Sequence, residues 1–254
     1  MFVPAKDIDE VIERLDIIID WAKAYQSRLG YFPILYREVT VAVKVGIQKG
    51  RFEDGPRMER LDVIFANRYL EAWHQYRLKD KPSRAWEIAF RAGKKRRLTV
   101  LHHLLLGINA HINLDLGIAA AQTVEHQPID TLGDFEEINQ LLFEMVGQVQ
   151  SRLNKVSPLM NFVDRMARKL DEKLARFSLQ KARENAWRVA TEYCTCEDQQ
   201  EQAEKIKKED IRTSAFATLV KGPGMLSRLL ILLIQFSEVS KNPRQIMQQI
   251  QAEE

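Results

Sequence analysis

Only two cysteines occur in 254 residues, too few for a disulfide framework, and both, Cys194 and Cys196, lie in the polar stretch TEYCTCED. A C-x-C pair on a helix points its thiols in different directions. The pair therefore reads as free thiols in a reducing compartment, with the cytoplasm as the expected location. Without a matching second pair it is a weak zinc signal. Glycine and proline are scarce as well, 11 and 8 residues, or about 4% and 3% against a usual 7% and 5%. Many-turned all-β folds and collagen-like chains need more. No charge dominates either, with 38 basic against 35 acidic residues and a net charge of +3. A dedicated nucleic-acid binder would gather a strong basic excess on one face, so there is no strong nucleic-acid signal.

Long hydrophobic runs are missing too. The N-terminus, MFVPAKDIDEVIERL, has neither a basic n-region nor an apolar h-region, so no signal peptide is expected. The longest apolar run, MLSRLLILLIQF at 225–236, is interrupted by Ser227 and Arg228. As a helix it would extend about 18 Å, short of the roughly 30 Å hydrocarbon core, so no transmembrane segment is expected. Gly107 and Gly117 lack the lysine or third glycine of a phosphate loop. No G-x-S-x-G elbow is present for a serine nucleophile. KKRR at 94–97 has no interleaved aromatics and reads as a solvated corner.

What is present is a soluble globule's composition, 45% hydrophobic and 29% charged, written with a helical period. Ile8, Val11, Ile12 and Leu15 recur at steps of three and four along 7–29, with Gly30 expected as the C′ residue. The valine-rich EVTVAVKVGI alternates like a strand, but a lone strand has no partner, so 34–48 is read as helix. Further helices are expected at 57–78, 83–92, 98–121, 134–153, 157–176, 179–194 and 222–236, and another after Asn242–Pro243. The charged stretch 197–210 reads as a solvated helix or linker. Trp21, Trp73, Trp86 and Trp187 have apolar neighbours and read as core. The expected architecture is all-α, a single compact multi-helix globule of about ten helices over 1–254, built around a central polar-lined helix. C-terminal helices 197–254 would pack on a core of about 50–190.

The most informative segment is LHHLLLGINAHINLDL at 101–116. Leu101, Leu104, Leu105, Ile108 and Ile112 form one stripe. His111 and Asp115, about 40° apart, border or enter it, while His102, Asn109 and Asn113 fall on the opposite side and His103 between. Two polar stripes point to a helix packed on both faces. His111 and Asp115 at i and i+4 have the spacing by which a helix offers two ligands to one divalent metal. A third ligand would come from His74, Asp62, Asp134, Asp164 or Glu184. Alternatively Asp115 accepts a hydrogen bond from His111 and fixes its tautomer in a packed core. On helix 57–78, Arg68 falls inside the apolar face. It calls for a carboxylate, Asp115 first and Asp164 next, unless it snorkels to water.

These residues carry a resemblance. RFEDGPRMERLDVIFANRYLEAW and LHHLLLGINAHINLDLGIAAAQ resemble a mostly bacterial family of helical proteins known only as a domain of unknown function. Its LGxNAHINxDL core is matched by Leu106, Gly107, Asn109, Ala110, His111, Ile112, Asn113, Asp115 and Leu116, with RENAW at 183–187 as a second match. The resemblance spans roughly 50–190 and implies no activity. A fainter likeness is to helical zinc phosphodiesterases of the phospholipase C type. Their ligand spacing differs, and their several further histidines are missing from a chain with five.

The leading expectation is therefore a buried cluster of Arg68, His103, Asn109, His111, Asn113 and Asp115 lining a small-molecule or metal site. His111 would act as ligand or general base, hydrolytic chemistry included, Asp115 as its orienter or co-ligand, and Arg68 as an anion anchor. The asparagines would supply amide hydrogen bonds. The competing reading is a non-catalytic scaffold or partner-binding module whose polar cluster only enforces packing. A third is a peripheral membrane protein using 225–236 and the KKRR corner. Homo-oligomerisation is left open.

Overall fold

Asp7 starts the first helix as the periodicity requires: its carboxylate accepts the Glu10 amide at 2.8 Å, satisfying one of the orphan N–H groups of a helix start. The computed structural model describes residues 2–123, 132–156, 184–221, 238 and 241–251. The helices expected at 157–176 and 222–236, residues Leu179 and Ala182, and the candidate ligand Asp164 lie outside these. Among the described residues there is no strand, and the fold is all-α. Helices α1 (Ile8–Ala24), α2 (Tyr31–Gln48), α3 (Gly55–Arg77) and α4 (Arg84–Ala92) precede the motif. The motif itself is α5 (Val100–Ala110), a π-helical turn at His111–Asp115, and α6 (Leu116–Thr123). Then follow α7 (Leu132–Val156), helical residues 184–194, α8 (Gln199–Lys221) and α9 (Pro243–Ile250).

The start signals act as their chemistry predicts. Asp54, Ser83 and Thr99 cap α3, α4 and α5 through their side-chain oxygens. Asn242 and Gln245 form a reciprocal capping box ahead of α9, with Pro243 in its first turn. The valine-rich segment is helix α2, since its partly buried faces pack against α1, α3 and α5.

Three boundaries differ from expectation. Helix α1 ends at Ala24, and the left-handed residue that turns the chain is Gln26 (φ 49°). Gly30 sits at φ −78°. Its role is close approach, because a Cβ there would lie 2.3 Å from Met247 Sδ and 2.7 Å from Ala22 Cβ. Second, 197–210 is only the exposed half of a longer helix. Helix α8 runs to Lys221 and buries Glu209, Thr213, Ser214 and Ala217. Third, the motif helix is not a continuous α-helix.

Together α5, the π turn and α6 form the rod around which the rest packs. Helix α5 meets α2, α4 and α8, the π turn meets α3 and α8, and α6 meets α3. Leu104, Leu106, Leu114 and Ile118 are almost wholly buried along it, each contributing about 1.5–3 kcal/mol relative to exposure. The span Val100–Thr123 is long and apolar enough to cross a membrane by length and composition, with a mean hydropathy of 1.4. In the fold 72% of its apolar 18-residue window is buried inside the protein, as a core helix requires.

Candidate functional site

The π turn lies on the polar part of the motif. The Leu116 amide bonds to the His111 carbonyl, five residues back, so one extra residue enters the turn. Single π turns inside α-helices are uncommon and recur at functional sites. This one presents His111, Leu114 and Asp115 to the interior, each at most 3% exposed.

Asp115 is the hub. Its Oδ1 accepts from Arg68 Nε of α3 at 2.9 Å, and its Oδ2 from Trp86 Nε1 of α4 at 2.7 Å. The guanidinium that α3 carries on its apolar face therefore finds the first of its expected partners. Its side chain keeps 23% exposure, so it pairs with the buried carboxylate and reaches the surface together. Arg68 thus anchors a protein carboxylate through its Nε. Trp86 combines core packing with a role the sequence reading missed. A buried indole N–H needs an acceptor, and that rule is the signal that points to it.

His111 stands one helical turn before Asp115, its Nδ1 3.4 Å from Asp115 Oδ2. Rings enclose the imidazole. Phe65 stacks on it at 3.5 Å between centroids and 7° between planes, and Tyr36 meets it edge-on at 4.3 Å. Phe32, Trp86 and Tyr69 stand 5.7, 6.0 and 6.4 Å away. Burial pushes the His111 pKa below its ordinary value, against the opposing pull of Asp115. The ring is neutral at pH 7. With Nδ1–H directed at Asp115, Nε2 carries a lone pair, and it has no hydrogen-bond partner among the described residues.

Two more buried oxygens lack partners among the described residues, the first of them on a ring packed against His111. One is the Tyr36 hydroxyl and the other Asp62 Oδ2. Asp62 shares a stripe of α3 with Phe65, Ala66 and Tyr69, three, four and seven residues on. Burial, then the charge of Glu59, pushes its carboxyl up to about 7. The Tyr36 phenol is held well above its ordinary value by burial and then by the carboxylates of Asp62 and Asp115. The Thr40 hydroxyl eases that ionisation a little, but it donates to the Tyr36 carbonyl at 3.1 Å and leaves the phenol unpaired. Tyr36 was not legible as a site residue, because one tyrosine on a valine-rich helix reads as core.

The rest of the expected cluster divides. Asn113 donates to Asn109 Oδ1 at 2.9 Å, and Asn109 donates to the Thr213 carbonyl of α8 at 3.0 Å. Both amides thus fasten the rod to α8 and do not join the His111 side. His102 pairs with the capping Thr99 hydroxyl at 2.7 Å. His103 faces Tyr31 edge-on at 5.7 Å.

For the metal reading, no group of three or more histidine, cysteine or carboxylate ligands occurs among the described residues. Both oxygens of Asp115 are engaged by Arg68 and Trp86. Asp134 accepts from the Glu53 amide at 2.7 Å and from Arg57 at 2.6 Å, and His74 packs against Phe2.

A family of unknown function (DUF5995) matches residues 8–223, extending the resemblance beyond the 50–190 core in both directions. No curated protein and no solved structure matches the chain. Since the match covers most of the sequence, with the π turn and its surrounding helices inside it, the chain belongs to the DUF5995 family of unknown function.

Proposed function

We propose that the π turn carries a binding site for a small polar molecule, with His111 as acceptor or general base toward an O–H or N–H of that molecule. Asp115 holds the imidazole in one tautomer, and Arg68 and Trp86 hold Asp115. Tyr36 and Asp62 complete the polar lining. The observation that carries this reading is a pair of buried polar atoms on two rings in contact, His111 Nε2 and the Tyr36 hydroxyl, neither with a partner among the described residues, with Asp62 Oδ2 a third such atom whose charge reaches the Tyr36 phenol. Each unsatisfied buried polar group costs about 1–3 kcal/mol, and native proteins keep few of them without a use. The free thiols of Cys194 and Cys196 support a reducing, cytoplasmic setting.

A second reading has its own support. Phe65 and Tyr36 press on His111 at 3.5 and 4.3 Å, and Asp115 is already saturated. Such a cluster can act only to fix the packing of a non-catalytic scaffold. Stability separates the two, because groups kept for a ligand are held against stability. On the binding reading, His111→Leu holds or raises the denaturant midpoint at constant slope, and small molecules released from freshly purified wild-type protein and identified by mass spectrometry are lost from that variant. A loss of several kcal/mol in His111→Leu, with nothing released from the wild type, would establish the scaffold reading instead.

A further inference from the structure

The rings that surround His111 also line a cleft that His111 itself does not reach. Phe32, Tyr69, Trp86 and Phe90 form its aromatic walls, with Arg28 and His103 as its polar members. The walls brace one another: Trp86 stacks on Phe90 at 5.3 Å and leans on Tyr69 at 5.0 Å and Phe32 at 5.5 Å. Gly107 of the motif makes the arrangement possible, since a Cβ there would lie 2.4 Å from the Phe32 ring. Counted out to its open mouth the cleft encloses about 300 Å³, of which about 20 Å³ is free for the centre of a water molecule. With so little free space, a planar ligand enters only if the half-buried side chains of Arg28 and Leu29, both on the short 3-10 turn Arg28–Gly30, swing outward.

His103 supplies the independent sign of a ligand. Its ring lines the cleft and is 6% exposed, yet its Nε2 has no hydrogen-bond partner among the described residues. Burial, then the charges of Arg28 and His102, pushes its pKa down to about 3, so it is neutral at pH 7. The Leu98 backbone favours a proton on the ring. With Nε2 unpartnered, that proton sits on Nδ1 and Nε2 offers a lone pair. An anionic oxygen has no reason to approach that lone pair, whereas an O–H or N–H does. The anion instead belongs with Arg28, whose planar guanidinium suits a carboxylate.

We propose that this cleft binds a small aromatic carboxylate that also carries an O–H or N–H donor. Its ring sits among Phe32, Tyr69, Trp86 and Phe90, its carboxylate on Arg28 and its donor on His103 Nε2. The site does not depend on the His111 reading.

The test is a titration of the full chain with 4-hydroxybenzoate, indole-3-carboxylate, benzoate and phenol, followed by calorimetry and by tryptophan fluorescence. The two acids with a donor bind saturably and at least roughly tenfold tighter than benzoate, because a site built around a hydrogen bond rejects the analogue that lacks it. Arg28→Gln weakens all three carboxylates and leaves phenol unchanged. His103→Phe retains benzoate binding and removes the preference for the hydroxyl. Arg28 is a partly exposed turn residue, so its variant decides the matter even if His103→Phe does not fold. Absence of saturable binding by both donor acids at millimolar concentration, or wild-type affinity for them in Arg28→Gln, overturns the proposal.

Discussion

The indole N–H of Trp86 donates to Asp115 Oδ2 at 2.7 Å, across 29 residues of sequence and from a different helix. The opposite carboxylate oxygen is held by Arg68. One side chain on the π turn thereby ties α3 and α4 to the central rod, and loss of its charge is felt on both contacts.

Asp115→Asn is expected to lower stability by about 3 kcal/mol, the lower end of what breaking a buried ion pair costs. Arg68 keeps partial access to water, which softens the loss. Trp86→Phe removes one hydrogen bond to a charged acceptor and should cost about 1.5–3 kcal/mol. Chemical denaturation at constant slope measures both. A neutral Asp115→Asn would show that the carboxylate does not organise the rod.

Asp62 makes stability fall as pH rises. Its folded-state pKa of about 7 lies above the unfolded value of about 3.9, so the folded state binds the proton more tightly. The stabilisation by protonation is complete below about pH 4 and is lost as pH rises through 7. Asp62→Asn should therefore raise the unfolding free energy at pH 8 by about a few kcal/mol and flatten its dependence on pH between 4 and 7. An unchanged pH profile would place the carboxyl in a solvated setting.

His103 acts with the opposite sign. Its folded pKa of about 3 lies below the ordinary value, about 6.5, so its neutral form contributes stability that is present above pH 6.5 and is lost as pH falls toward 3. His111, also lowered by burial, adds to the same acid-side loss. His103→Phe should retain more of its neutral-pH stability at pH 4 than the wild type does, as read by thermal melts at both pH values. An equal acid-side loss in the variant would contradict this.

Gly117 is a contact between backbones. A Cβ there would lie 2.6 Å from the Ala186 carbonyl oxygen and 2.8 Å from Val189 Cβ. Since a backbone atom cannot turn aside, Gly117→Ala should destabilise by about 1–3 kcal/mol through overpacking. Hydrogen exchange should localise the effect to residues 184–194 and α6. A stability gain, as expected for alanine in an open helix, would show that the two helices separate easily.

The helices were legible because local physics makes them. Periodic apolar residues, side-chain caps at Asp7, Asp54, Ser83, Thr99 and Asn242, and few glycines or prolines specify helix after helix without reference to the rest of the chain. The pairing of Arg68 with Asp115 was legible too, since a guanidinium on an apolar face demands a carboxylate and few candidates lay on equally buried stripes. By contrast, the parting of Asn109 and Asn113 from His111 was decided in three dimensions, by the approach of the Thr213 carbonyl from α8. The π turn, the turn at Gln26 and the burial of the Tyr36 hydroxyl without a partner among the described residues are likewise tertiary outcomes. Periodicity tells which face of a helix is buried, but which atoms meet on that face depends on how neighbouring helices interlock at close packing, and no single segment encodes that.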